Sequence, residues 1–321
     1  MTAQRILVTC DLPGDRLATL KKDPRFAVTV LDDAGRRDIP GAVSGLDPHG
    51  IVALLSDTLD ARVLGSAPAL KVVSNYAVGY NNIDTAFAKE QGIAVTNTPD
   101  VLTDATADIA FLLILAVSRR GWEAENFMRA GKFGGWLPDL FLGIGLQGKR
   151  LGILGYGRIG SAVARRGRAF GMRIAYHARN RLPHAREAAE ALEYLPLDRL
   201  IAESDVLSLH MPYTPAARHL IGAAALATMK PTAILINTAR GPLVDEAALL
   251  VALRERRIFG AGFDVYEHEP KVDPALLTLP NVSVLPHIGS ATIETRAAMA
   301  ALAIDDCVAV LTGAEPRNRV V

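Results

Sequence analysis

The chain has 321 residues with a formal net charge of +1; half of its residues are hydrophobic and 21% are charged. That length implies two domains with substantial cores, and the near-neutral balance removes any general electrostatic drive toward nucleic acid or an anionic membrane. Its two cysteines, Cys10 and Cys307, allow one disulfide at most, and the absence of a Cys-x-x-Cys or Cys/His cluster argues against a structural metal and for a reducing compartment.

The first residues, MTAQRILVTC, run straight into a strand-like segment without the basic region, apolar stretch and cleavage site of a signal peptide, so a cytoplasmic location is expected. Strand candidates then follow at Arg5–Cys10, Ala27–Leu31, Ile51–Ser56, Leu70–Tyr76 and Ile93–Thr96. A long helical pattern opens at Thr103 or Asp104 and continues to Arg120. Its apolar run, Ile109–Val117, falls far short of the ~20 residues a membrane span needs. From Phe111 onward it is too hydrophobic for a one-sided surface helix and suggests burial between the subunits of a C2 homodimer. A second strand series occupies Arg150–Leu154, Arg173–His177, Val206–His210, Ala233–Asn237, Ala261–Val265 and Val282–Leu285, and a last helix spans about 293–312. Strands alternating with helices define an α/β class with parallel sheets. Turn chemistry at Thr96–Asp100 and at Pro286–Ser290 marks two crossovers. The expected organisation is therefore a discontinuous small domain, 1–99 with 290–321, around a continuous domain, 100–289.

The segment Gly155-Tyr-Gly157-Arg-Ile-Gly160 is entered by a strand and left by a helix, the context in which a glycine-x-glycine-x-x-glycine turn binds a dinucleotide. Gly155 permits the tight turn, Gly157 lets backbone approach a pyrophosphate, and Gly160 allows close helix–strand packing. First-turn amides near Arg158 and Ile159 would point at the phosphates. An NAD site places an acid at the end of the next strand, for the ribose hydroxyls. Here that end reads Tyr176-His177-Ala-Arg179-Asn-Arg181, with His177 near the position of the acid. Arg179, or more weakly Arg181, could pair with the 2′-phosphate of NADP, so NADPH is the expected cofactor, with NAD also possible.

Three polar residues follow later strands on the carboxyl side of the sheet, where open α/β sheets bind ligands: Arg240, Glu269 and His287. Each alone is commonplace; together, on one dinucleotide-binding unit, they suggest chemistry.

The chain resembles the D-isomer-specific 2-hydroxyacid dehydrogenases over nearly its whole length. The resemblance rests on Asn75–Asp84, Gly155–Gly160, Leu209-His-Met-Pro212, Asn237-Thr-Ala-Arg-Gly241, Asp264 and Pro286-His-Ile-Gly289, in the right order. It implies a Rossmann-type doubly wound domain and a smaller flavodoxin-like one, a nicotinamide cofactor, and catalysis by Arg240, Glu269 and His287. It further implies that Val78 and Gly79 amides, with Arg240, bind the substrate carboxylate, and that Asp264 accepts from the nicotinamide carboxamide. Met211, Thr238, Ala239 and Gly289 enter the cofactor site by the same resemblance. Gly134-Gly-Trp136 resembles a segment that approaches the partner subunit's active site in related reductases, which makes Trp136 a candidate substrate contact.

Chemistry supplies the roles. Reducing a 2-keto acid needs a proton on the carbonyl oxygen as hydride arrives at carbon. Protonated His287 would be the general acid, a neighbouring Glu269 would favour the imidazolium, and Arg240 would hold the carboxylate and polarise the keto oxygen. The expected activity is NADPH-dependent reduction of glyoxylate or hydroxypyruvate. The alternatives are a D-glycerate, D-lactate, 2-ketogluconate or phosphite dehydrogenase, or a dinucleotide-sensing dimer without turnover. Every catalytic reading among these requires the cation, the acid and the imidazole to meet over the nicotinamide in a cleft between two lobes.

Overall fold

The computed structural model describes residues 3–321. The chain divides into two compact units, Met1–Leu102 with Ser290–Val321, and Thr103–Gly289, so the first break falls just past the expected 99.

Unit 1 holds strands β1 (Gln4–Val8), β2 (Phe26–Val30), β3 (Gly50–Leu54), β4 (Val72–Tyr76) and β5 (Ala94–Thr96) in one parallel sheet of order β2-β1-β3-β4-β5. That is the flavodoxin-like order. The helix Ile293–Leu311 packs on β3, β4 and β5, which returns the chain's last segment to the unit of its first. Gly50 makes this approach possible: a Cβ there would lie 2.7 Å from the Cys307 sulfur. Cys10 and Cys307 are both free thiols, and burial pushes Cys307 up to about 12.

Unit 2 holds β6 (Arg150–Leu154), β7 (Arg173–His177), β8 (Leu192–Tyr194), β9 (Val206–Leu209), β10 (Ile234–Asn237), β11 (Gly260–Phe263) and β12 (Val282–Val284). They form one parallel sheet of order β12-β11-β10-β9-β6-β7-β8. The order reverses between β6 and β9, the Rossmann-type switch point outside whose carboxyl ends ligands bind. The fully buried strand interiors explain why they read as continuous apolar runs. β8 is the exception: a short, half-buried edge strand, Leu-Glu-Tyr, with no apolar run to announce it.

The helix Thr103–Ser118 corrects one expectation. Phe111, Leu113, Ile114 and Val117 are not left over for a partner subunit but lie in the unit's own core, with the helix packed on β10 and β11. Leu112 alone of the large apolar side chains in that run is exposed. Asp104 and Asp108 on the outer side pair with Arg165 and Arg166 of the helix Arg158–Ala169. A helix wedged between a sheet and a second helix needs more than a one-sided stripe, and this accounts for the run. Truncating a fully buried leucine removes its transfer energy and leaves a cavity, so Leu113→Ala should lower unfolding free energy by about 2–5 kcal/mol, measured by denaturant unfolding.

Candidate active site

The glycine turn leaves β6 at the switch point. Gly155 has φ +98°, and a Cβ on it would sit 2.6 Å from the Met211 amide nitrogen and 2.8 Å from the His210 carbonyl oxygen. Only glycine fits, because both the left-handed conformation and the backbone of residues 210–211 exclude a side chain. Gly155 N–H donates to His177 O at 2.9 Å and His210 N–H to Leu154 O at 2.7 Å, which stitches together the carboxyl ends of β6, β7 and β9. At Gly160 a Cβ would be 2.2 Å from Gly155 O, so the helix can begin against the strand only without one. Gly157 is different: a Cβ there would meet nothing within 4 Å, and no side chain caps the helix it opens. Open space before the uncapped start of a helix twelve residues long fits a pyrophosphate. The helix begins at Arg158, so Arg158 and Ile159 belong to its first turn, as expected.

At the end of β7, His177 directs Nδ1 to Leu195 O at 2.9 Å and stacks on Tyr194. Arg181 is committed: its guanidinium donates to Glu187 at 2.8 and 2.9 Å and lies over the Tyr194 ring. Glu187 is held down to about 2 by Arg181 and by the Tyr176 hydroxyl. Arg179 is exposed, and its side chain has no hydrogen bond or ion pair among the described residues. The strand end therefore offers one uncommitted guanidinium and a carboxylate that is already spent.

β10 ends in buried Asn237, whose amide donates to Arg240 O at 2.9 Å and whose oxygen accepts from Ala239 N–H at 3.0 Å. The next residue, Thr238, buries a hydroxyl without a partner. Gly241 meets the 266–267 backbone so closely that a Cβ would overlap Tyr266 at 1.9 Å. This contact sets the Arg240 turn against the loop that carries Glu269. Burial lowers the Arg240 pKa, and the charge of Glu269 opposes that shift. One Arg240 N–H donates to Ala239 O at 2.7 Å, which leaves most of the guanidinium fork for another group.

His287 follows β12 with φ +54°, a left-handed conformation unfavourable for a side chain. Asp264 holds it there: Oδ1 accepts from Ile288 N–H and Oδ2 from Gly289 N–H, each at 2.7 Å. Asp264 is 1% exposed, and burial raises its carboxyl despite those amides. The residue expected to face a carboxamide thus has both oxygens engaged by the loop that bears the imidazole. Tyr266 completes the frame, its hydroxyl donating to Leu285 O at 2.8 Å and its N–H to Glu269 Oε1 at 2.8 Å. Glu269 Oε2 lies 2.8 Å from His287 Nδ1. The imidazole therefore keeps Nε2 for exchange with a ligand.

Unit 1 carries the remaining expected residues. Asn75 donates to Gly79 O at 2.7 Å and Asn97 to Val78 O at 2.8 Å. With their carbonyls held, Val78 and Gly79 present N–H groups that have no partner among the described residues. Trp136, in unit 2, is 81% exposed. The supporting residues Asn237, Tyr266 and Glu267 were not singled out from the sequence. Asn237 and Tyr266 stand within a few residues of Arg240 and Glu269, and that adjacency was the available signal.

Burial would raise the Glu269 carboxyl, but the bonds from His287 and Tyr266 N–H, with the charges of His287 and Arg240, outweigh it and hold the group below the usual glutamate value. A carboxyl lowered on folding contributes stability that is complete above its unfolded pKa, ~4.3, and is lost as pH falls through the lower folded value. The stability gap between the wild type and Glu269→Gln should therefore narrow as pH drops from about 5 toward 3, measured by urea unfolding across that range.

With this geometry in hand, relatives are informative. Residues 111–289 match the family model for the D-isomer specific 2-hydroxyacid dehydrogenase, NAD binding domain. The chain is 52% identical over 274 residues to glyoxylate reductase from Thermococcus litoralis, covering 84% of this chain and 82% of that one. A crystal structure of a Thermus thermophilus protein superposes with TM-score 0.91 at 44% identity, covering 99% of this chain and all of that one. An NADPH-dependent glyoxylate/hydroxypyruvate reductase from Sinorhizobium meliloti, crystallised with NADP and malonate, superposes with TM-score 0.88 at 37% identity over 99% of this chain and 97% of its own. The chain belongs to the D-isomer specific 2-hydroxyacid dehydrogenases and is an NAD(P)-dependent oxidoreductase of that type.

Proposed function

We propose that the protein is an NADPH-preferring reductase of glyoxylate and hydroxypyruvate, in which Arg240, Glu269 and His287 are the catalytic residues. The observation that carries this reading is the 2.8 Å pairing of His287 Nδ1 with Glu269, whose charge acts on the half-buried Arg240. When bound, the nicotinamide supplies the hydride. Arg240 grips the substrate carboxylate with its fork and polarises the keto oxygen, in a setting where burial strengthens both effects. His287, doubly protonated, gives the Nε2 proton to that oxygen as it gains charge, and Glu269 stabilises the imidazolium before transfer and fixes the ring through it. The neutral imidazole is then recharged from solvent, and in the reverse direction it acts as the base. Val78 and Gly79 N–H groups serve the substrate carboxylate, since nothing among the described residues uses them.

For the cofactor, the turn Gly155–Gly160 with Arg158 and Ile159 takes the pyrophosphate, and the unpartnered Thr238 hydroxyl, Ala239, Met211, Val78, Asp264 and Gly289 line the remainder. His177 and the uncommitted Arg179 favour the 2′-phosphate of NADPH, and the NADP-bound relative from Sinorhizobium meliloti supports that preference. The glyoxylate reductases among the relatives support the substrate. Exposed Met128, Phe133, Trp136, Leu137 and Leu142 support a C2 homodimer, with Trp136 reaching the neighbour's substrate. Two free thiols fit a cytoplasmic setting.

Initial rates with glyoxylate, hydroxypyruvate, pyruvate and phosphite, under NADPH or NADH for the keto acids and their oxidised forms for phosphite, test the substrate; turnover of neither glyoxylate nor hydroxypyruvate refutes it. His287→Ala should lower kcat by about a hundredfold or more, and an unchanged rate removes His287 from the acid role. Arg179→Ala should weaken NADPH binding by about tenfold and leave NADH untouched, measured by fluorescence titration. Tighter binding of NADH by the wild type overturns the preference.

A further inference from the structure

Behind the Glu269 loop stands a second set of charged groups that the mechanism above does not use. Glu267, two residues before Glu269, has a side chain only 8% exposed. Its Oε1 accepts from the Arg218 guanidinium at 2.6 Å and pairs with His219 Nε2 at 2.7 Å. Its own N–H donates to Oε1 of Glu246, the buried first residue of the helix Glu246–Arg254, at 2.7 Å. Residue 267 is thus fixed at both backbone and side chain. Two carboxylates this close in a buried place are unfavourable, and an apolar residue would pack there without desolvation. Burial indeed raises the Glu246 carboxyl, and the charge of Glu267 adds to the rise.

The segment that supplies Arg218 and His219 is tied to the other catalytic loop. His219 N–H donates to Pro242 O at 2.9 Å, Ile221 N–H to Leu243 O at 3.0 Å, and Asp245 N–H to Ile221 O at 3.1 Å. Pro242 and Leu243 belong to the turn that starts at Arg240 and Gly241. One segment, 218–221, therefore grips the Arg240 turn with its backbone and the Glu269 loop with its side chains.

From this arrangement we propose that Glu267 is a positioning residue for hydride-transfer chemistry: clamped by Arg218 and His219, it fixes the loop that aims Glu269 at His287. The proposal rests on the acid–base reading of Glu269 and His287. A hydrogen bond is sharply directional, and sub-ångström displacement of a catalytic group is costly in rate. Glu267 touches no reacting atom, so its influence must pass through Glu269.

A double-mutant cycle tests this on the full-length protein with glyoxylate and NADPH. Glu267→Ala should lower kcat by about tenfold while the KM for glyoxylate and the dissociation constant for NADPH stay within about twofold. Glu267→Gln, which keeps an acceptor oxygen for Arg218 and His219, should recover most of that loss. In a Glu269→Gln background, Glu267→Ala should cost nothing further, because the group it positions is gone. Losses that multiply in the double variant, or wild-type kcat in Glu267→Ala, overturn the proposal while leaving the acid–base reading standing. A Glu269→Gln enzyme with wild-type kcat overturns that reading, and this proposal with it. If Glu267→Ala does not fold, Arg218→Ala, at a half-exposed side chain, should show a smaller loss with the same non-additivity; additivity there is equally fatal.

Discussion

The hydrogen bond between His287 Nδ1 and Glu269 Oε2 is the constraint around which the carboxyl edge of the larger sheet is organised. Eighteen residues separate the partners, and neither reaches the other by local structure alone. β11 and β12 run side by side, so the segments that leave them start as neighbours. Asp264 then gathers the amides after His287, Tyr266 ties one loop to the approach of the other, and Gly241 admits the Arg240 turn against both. A buried carboxylate that accepts two amides is an expensive device unless its bonds are short and complete, and here each is 2.7 Å. The strained backbone of His287 is held by this satisfied clamp.

Electrostatics divide the labour between the two ends of the same edge. At the catalytic end, positive and negative groups lie near one another in a partly exposed place: desolvation pushes Arg240 below its usual pKa, while the bonds from His287 and Tyr266 hold Glu269 below the usual glutamate value. Both stay ionised near neutral pH. At the β7 end, the opposite principle applies. Arg181 and Glu187 neutralise each other over Tyr194, which leaves Arg179 as an exposed cation without competition. Between these ends, half-buried His210 follows β9 with its Nε2 on Ser208 Oγ, and desolvation pushes its imidazole down to about 3.

Much of this was legible in the sequence because the signals are local. β6 and β7 fall at the residues expected of them, since buried parallel strands are dense runs of branched residues with sharp ends. The spacing of Gly155, Gly157 and Gly160 encodes a turn whose steric reasons are all within a few residues or directly across the sheet. Partnerships that join distant residues were not legible. That Asp264 grips residues 288 and 289, or that Arg218 and His219 grip Glu267, depends on loop paths that no periodicity records. The helix Thr103–Ser118 shows the reverse error, because a dense apolar run reads the same whether a sheet or a second subunit covers it. β8 escaped notice since three residues, none of them fully buried, leave no pattern to detect.

The bare backbone of Gly50 has a consequence for chemistry far from catalysis. It lets the Cys307 sulfur sink into the interior of unit 1, where the thiolate form is suppressed. The other cysteine, Cys10, is half-buried and its thiol is also pushed up by burial, but it is the more accessible of the two to an alkylating reagent or a peroxide. Uptake of a second equivalent of label would then report transient opening of the smaller unit, a built-in gauge of its breathing.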